Sequence, residues 1–351
     1  MIDGSKPEAL TRERVPEGEE VAWSNRAVGI VGMGPVGSIL GAHLVRSGVE
    51  VYGVDASSRR ADQVNRDGFF LRGTVQLQES PQRCFTKLAE LAAVKDLAAV
   101  FLCTKTWAIP TVMKEWVKAD WPGDTRIIVF MNGIGPEDAV AEFVPKETVW
   151  RGIINYAGNM DPEGWVTMNW FNPPNLIGPA SDRVVWWTGG AEEILTKAGL
   201  DTVQISHHEM KKEAFFKTIL NSSLNALCAA HGLTMGQAMR LRHTRRTARM
   251  LLREGLTVAG LVGYNYGEDA LDRCLTFLQA GGDHYPSMWF DLRDQRPTEI
   301  ECINGKIVKI AHMFNDVDVD LNMFFTSAIV TQEIKNGSRE EDDIPEYLIE
   351  A

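Results

Sequence analysis

Short apolar runs separated by longer mixed segments dominate the first part of the chain, whereas apolar residues at helical spacing dominate the rest. A run ending at Val31 and another at 50–54 flank a segment, 36–46, that predicts a helix. Similar runs at 98–103 and 127–131 are each followed by a turn rich in Gly, Asn or Thr and then by a helical segment. Strands and helices alternating in this way predict a parallel, doubly wound sheet. Shorter runs at 149–154, 165–170, 175–177 and 202–205 are expected to extend or edge that sheet. From about residue 209 apolar residues recur at three and four, as in Ile300, Ile303, Ile307 and Ile310, which predicts helices.

The fold class is therefore α/β: an N-terminal Rossmann-type doubly wound sheet over 26–207, then an all-α domain for substrate and dimerisation over 208–335. Residues 1–25, rich in Glu, Arg, Pro and Gly without apolar period, read as a flexible extension. Residues 336–351, with the acidic run 340–343, read as a solvated tail. The cleft between the two domains is where a substrate would meet a cofactor.

The first strand ends in Gly32-Met33-Gly34-Pro35-Val36-Gly37, a G-x-G-x-x-G fingerprint inside a β-α-β unit of about the expected ~30 residues. The first glycine permits the tight turn, the second lets backbone approach a pyrophosphate, and the third lets helix and strand pack closely. The helix start then faces the anion with unpaired N–H groups. Asp55, at the end of the second strand, can accept hydrogen bonds from an adenosine ribose and would repel a 2′-phosphate, favouring NAD over NADP. Arg59 and Arg60 follow; they could hold that phosphate, or form a solvated helix face.

Composition narrows the partners. The 351 residues are 44% hydrophobic and 24% charged, the balance of a globular protein with ample core. A net charge of -11 excludes a nucleic-acid groove or an anionic membrane as the main partner. The basic residues at 240–249 have the spacing of one helix side and suit a solvated face or subunit contact. Five cysteines, odd in number and without C-x-x-C pairing, fit a reducing, cytoplasmic compartment, and the first 25 residues hold no hydrophobic signal core. The apolar stretch 28–45 contains the fingerprint, Pro35 and His43, so a buried strand and helix explain it better than a membrane span. Histidines are scattered apart from His207-His208, and no metal site is expected.

Two segments could carry chemistry. Lys217, Asn221 and Asn225 stand at i, i+4 and i+8 on one helix face, flanked by Phe215, Phe216, Ile219, Leu220 and Leu224. Such a stripe is either a solvent face or a partly dry wall where a lysine donates a proton and amides read polar groups. Withdrawal from bulk water would lower the lysine's pKa toward the working range, and a nearby carboxylate would oppose that shift. Downstream, His284 to Asp291 precede Arg296-Pro297-Thr298-Glu299, where Pro297 and Thr298 resemble a helix start and Glu299 would sit in its first turn. The turns Thr104-Lys105-Thr106 and Met131-Asn132-Gly133-Ile134-Gly135 follow strands, where an open α/β sheet lines its ligand crevice.

In order, G-M-G-P-V-G, C-T-K-T-W, M-N-G-I-G, L-I-G-P-A (176–180), F-K-T-I-L-N-S-S-L-N and P-S-M-W-F-D-L-R-D-Q-R-P-T-E-I-E-C-I-N-G resemble the ketopantoate reductase family, a branch of the 6-phosphogluconate dehydrogenase-like oxidoreductases, from about residue 26 to about 331. The resemblance implies NAD(P)H-dependent reduction of a 2-ketoacid, 2-dehydropantoate to (R)-pantoate, a step of pantothenate biosynthesis; the aromatic content of the helical half makes a homodimer the default expectation. It implies Lys217 as general acid, Asn132 and Lys105 holding cofactor and substrate, and Asn221, Asn225 and Ser287 binding the substrate's carboxylate and hydroxyls. Glu299 would hydrogen-bond near cofactor and lysine, and Gly158 would touch the nicotinamide end.

Two positions depart from the family pattern. Met235 stands before Gly236 where members reading ketopantoate commonly have asparagine, and Ala56 follows Asp55 where NADP users often place arginine. Both leave the reaction class intact and put substrate and cofactor phosphate in question. A related D-2-hydroxyacid dehydrogenase or 2-ketoacid reductase, and a non-catalytic dinucleotide-binding regulatory protein, remain as alternatives.

Overall fold

The continuous apolar runs Ala27–Val31 and Leu97–Leu102 become adjacent parallel strands with every residue buried. Alternate side chains feed two cores, Val28, Ile30 and Phe101 on one face, Val31, Val100 and Leu102 on the other, as expected of a parallel sheet covered on both sides. The computed structural model describes residues 23, 25–123, 125–183, 189–314 and 317–349. One compact unit holds the described residues of Arg14–Met131 with Gly135–Lys211; the other holds Asn132–Ile134 and the described residues of Lys212–Ala351.

The sheet unit begins β1 (Ala27–Val31), α1 (Pro35–Arg46), β2 (Val51–Val54) and α2 (Ser58–Asp67). Then come β3 (Phe69–Gly73), β4 (Leu77–Glu79), β5 (Arg83–Phe85), α3 (Leu88–Ala92), β6 (Leu97–Leu102), α4 (Ile109–Trp116), β7 (Arg126–Val129) and α5 (Pro136–Ala141). It closes with β8 (Val149–Ile153), β9 (Tyr156–Met160), β10 (Val166–Phe171), β11 (Asn175–Pro179), α6 (Gly189–Lys197) and β12 (Thr202–Gln204). The main sheet has eight strands in the order β12-β11-β8-β7-β6-β1-β2-β5, parallel except where β11 meets β8. Strand order reverses between β1 and β6, the switch point where such sheets bind ligands beyond their carboxyl ends.

A second, four-stranded sheet, β4-β3-β10-β9, packs over α1. The apolar run expected at 165–170 therefore does not extend the main sheet: β10 pairs with β3 and β9 instead. Of the expected 1–25 extension, Trp23 is buried in the core against Gly190, so order reaches back past residue 26; positions 1–22 and 24 lie outside the described residues.

Helices α7 (His207–His231), α8 (Met235–Arg240), α9 (Arg242–Leu261), α10 (Ala270–Ala280), α11 (Ser287–Arg293), α12 (Asn304–Ala311) and α13 (Asp320–Lys335) complete the chain. The two units part at Lys211–Lys212, inside α7. Ile300, Ile303 and Ile307 are all buried, yet they do not share one helix. A 3₁₀ turn spans Ile300–Cys302, and Ile303, at φ -106° and ψ -96°, breaks it from α12. The tail also differs from expectation: residues 340–343 are exposed, but Ile344, Tyr347 and Leu348 pack against the helical core.

Candidate active site

Each glycine of the fingerprint has its own cause. Gly32 sits at φ +97°, a conformation that disfavours side chains, with its missing Cβ 3.0 Å from the Cys103 carbonyl and the Thr104 nitrogen. A Cβ on Gly37 would fall 2.0 Å from the Gly32 oxygen, so only glycine lets α1 start this close to β1. Gly34 has nothing within 4 Å of its missing Cβ. That open space lies at the N-cap of α1, which has Pro35 in its first turn and no side-chain cap. The three features together form a cradle for an anion.

Asp55 and Arg60 hold the loop from two sides. Asp55 Oδ2 accepts the Met33 N–H at 2.8 Å, and Oδ1 accepts the Ser57 N–H at 2.9 Å. A carboxylate has about four lone-pair sites, so Asp55 keeps acceptor capacity for ribose hydroxyls. Arg60 Nε donates to the Met33 carbonyl at 2.8 Å, Nη2 to Ser38 Oγ at 2.8 Å and Nη1 to Gln63 Oε1 at 2.8 Å. Arg60 is thus a half-buried brace of the loop rather than a solvated face, while Arg59 is exposed. Burial draws the Arg60 guanidinium below its usual pKa, against the pull of Asp55.

A dinucleotide fits the groups present. Thr104, just after β6, has its backbone nitrogen 3.0 Å from the missing Cβ of Gly32, and its Oγ1 is buried without a hydrogen-bond partner among the described residues, as an acceptor and donor for a ligand would be. Lys105, next in the chain, is half-buried. Gly158 lies on β9, where a Cβ would meet the Thr167 carbonyl at 2.8 Å and Ile39 at 3.1 Å; this packing accounts for the glycine.

The remaining candidates belong to the helical unit. Lys217 and Asn221 are half-buried on α7, and Asn225 is 7% exposed. Neither asparagine side chain hydrogen-bonds any described residue. The middle of α7 is fixed instead through its backbone. Asn304 Nδ2 donates to the Ser222 carbonyl at 2.9 Å and to Asn322 Oδ1 at 3.0 Å, and Asn322 Nδ2 donates to Glu254 Oε2 at 2.7 Å. Burial raises the Glu254 pKa, opposed by the bonds it receives from Asn322 and Leu321.

Asn132 and Glu299, 167 residues apart, come together: Asn132 Nδ2 lies 3.5 Å from Glu299 Oε2. The turn carrying Asn132 sits on the Glu299 segment because the Ile134 N–H donates to the Cys302 carbonyl at 2.9 Å. Gly133, at φ +91°, would drive a Cβ within 2.5 Å of that same oxygen. Glu299 precedes the 3₁₀ turn rather than occupying the first turn of an α-helix, and it is 5% exposed. Ser287 is the exposed first residue of α11. Met235 opens α8, its N–H bonded to the His284 carbonyl at 2.9 Å and its side chain half-buried.

Sequence reasoning did not single out Thr104 or the brace role of Arg60. Thr104 lies in the turn after β6, but only the β1–β6 pairing brings its backbone against Gly32. Among the described residues no cluster of His, Cys, Asp or Glu could hold a metal, and no helix is long and apolar enough to cross a membrane.

The profile of the family "Ketopantoate reductase PanE/ApbA" matches residues 28–181, and that of its C-terminal region matches 209–331. A 2-dehydropantoate 2-reductase of Aquifex aeolicus is 26% identical over 313 residues, covering 88% of this chain and 97% of the relative. One from Archaeoglobus fulgidus is 25% identical over 295 residues, covering 84% and 94%. Among solved structures, D-mandelate dehydrogenase with NADH and anilino(oxo)acetate superposes with a TM-score of 0.78 at 21% identity, covering 89% of this chain and all of that one. A PanE/ApbA family ketopantoate reductase from Ralstonia eutropha gives 0.77 at 20% identity, covering 89% and 99%. The chain belongs to the ketopantoate reductase family, a family of NAD(P)-dependent oxidoreductases.

Proposed function

We propose that this protein reduces a 2-ketoacid to the D-2-hydroxyacid with NADH, 2-dehydropantoate being the first substrate to try. The observation that carries the reading is the α7 face, where a lysine is followed by two asparagines whose amides no described residue satisfies. A carboxylate or hydroxyl of a small acid could pair with these amides. The bound dihydronicotinamide supplies the hydride. Lys217 Nζ gives its proton to the ketone oxygen as the carbonyl carbon is reduced, and regains one from solvent. Asn221, Asn225 and Ser287 bind the acid's carboxylate and hydroxyl groups. Glu299, held by the Asn132 amide, orients the lysine and the cofactor end, with Lys105 on the cofactor.

NADH is favoured because Asp55 faces the ribose position with acceptor capacity to spare, and because Arg60 is committed to the Met33 carbonyl. A second reading, another 2-ketoacid of more apolar character, is supported by Met235. Steady-state turnover of a panel of 2-ketoacids with NADH and NADPH tests all of this. Turnover of 2-dehydropantoate with NADH supports the first reading, and preference for an apolar ketoacid the second. Oxidation of neither cofactor with any acid would instead indicate a binding protein.

A further inference from the structure

Beyond Lys335 the chain turns back onto the segment that carries Glu299. Arg339, its side chain 12% exposed, lies between two carboxylates: Nε is 2.6 Å from Glu333 Oε2 and Nη2 is 2.8 Å from Glu301 Oε1. Glu333 is fully buried, and its other oxygen accepts the Thr298 N–H at 2.6 Å. A chain of charge-assisted bonds therefore runs from Thr298 through Glu333 and Arg339 to Glu301, and Glu299 lies between its two ends. Arg339 Nη1 also donates to the Asp343 carbonyl at 2.9 Å, tying in the acidic turn. Tyr347 closes the other side. Its hydroxyl is lodged against Gly305, where a Cβ would come within 2.2 Å, and Lys309 Nζ lies 4.9 Å over its ring.

We propose that residues 336–349 form a clamp that positions Glu299, with Arg339 as the positioning residue; this rests on the assignment of Glu299 to the active site. A buried carboxylate such as Glu333 needs its counter-charge, and buried ion chains of this kind are better suited to fixing one geometry than to adding stability. The partners being held, Thr298, Glu301 and Gly305, flank Glu299 and lie inside the stretch matched by the family profile, which ends at residue 331. Glu333, Arg339 and Tyr347 lie beyond it.

The test compares Arg339→Gln, Arg339→Lys, Tyr347→Ala, Glu299→Gln and the double variant Arg339→Gln/Glu299→Gln. A displaced active-site group can cost up to about 100-fold, and Arg339→Gln is expected to lower kcat roughly 10-fold. Arg339→Lys should recover part of the loss. In the Glu299→Gln background Arg339→Gln should add less than about twofold, because both changes act through one group. Multiplied losses in the double variant, or kcat at the wild-type value in Arg339→Gln, would overturn the clamp. Should Arg339→Gln not fold, Tyr347→Ala carries the same expectations. Amide exchange over 298–303, faster in the variants, reads the clamp without turnover, and unchanged exchange contradicts it. If the wild type oxidises NADH with no ketoacid, the proposed reaction fails while exchange still decides the clamp.

Discussion

Around the glycine loop the backbone of Met33 is already engaged by Asp55 and Arg60, whereas on α7 two side-chain amides take no hydrogen bond from any described residue. The loop is shaped by backbone: Gly32 by its φ, Gly37 by the carbonyl behind it, Met33 by Asp55 on its N–H and Arg60 on its carbonyl. On α7 the helix is pinned through the Ser222 carbonyl, and the side-chain amides of Asn221 and Asn225 take no hydrogen bond from any described residue, as the proposed reading of a small acid requires. A cofactor common to many enzymes can be held by a pre-set backbone. A particular acid has to be read by side chains, so substrate choice rests on a few exchangeable positions.

The strongest way to break this comparison is Lys217→Ala. It should lower kcat by roughly 100-fold or more, the usual scale for a positioned general acid, while leaving NADH affinity unchanged. Gly34→Ala acts on the other side. The open space there means the methyl meets no protein atom, so Tm should hold while NADH affinity falls about tenfold, from roughly 1.4 kcal/mol of lost approach. Gly37→Ala is the contrast, since its Cβ has no room and thermal melting should show lost stability. Met235→Asn restores a hydrogen-bonding side chain and should shift preference toward 2-dehydropantoate by about fivefold, one net hydrogen bond of roughly 1 kcal/mol.

The smallest effect concerns pH. Burial raises the Asp138 pKa, but hydrogen bonds from Lys211 and Lys146 outweigh it and leave it below the usual carboxylate range. A depressed carboxylate stabilises the fold above its unfolded pKa, and that contribution is lost as pH falls through the folded value. Asp138→Asn should therefore flatten the acid limb of a plot of Tm against pH. An unaltered limb would show that the pair contributes nothing.

Much of the sheet was legible because buried parallel strands are continuous apolar runs, as in Leu97–Leu102. The second sheet was not. Leu77–Glu79 is three residues long, and Val166–Phe171 carries no local mark of which sheet it joins, a choice made by pairing with β3 some 95 residues earlier in the register Val166 to Leu71. On the site, the helical spacing of Lys217, Asn221 and Asn225 was readable, since it needs one element only. The meeting of Asn132 with Glu299 and of Arg60 with Met33 needs the folded chain. Pro297 and Thr298 place Glu299 in the first turn of a helix when read from sequence, whereas in the fold it stands just before a 3₁₀ turn that is broken from α12 at Ile303.

Measuring NADH binding and 2-ketoacid turnover side by side in Lys217→Ala and Gly34→Ala tests the account most directly. Lys217→Ala is expected to bind NADH as the wild type does and to have almost no turnover, while Gly34→Ala loses affinity for NADH. Near-normal turnover by Lys217→Ala would contradict the account.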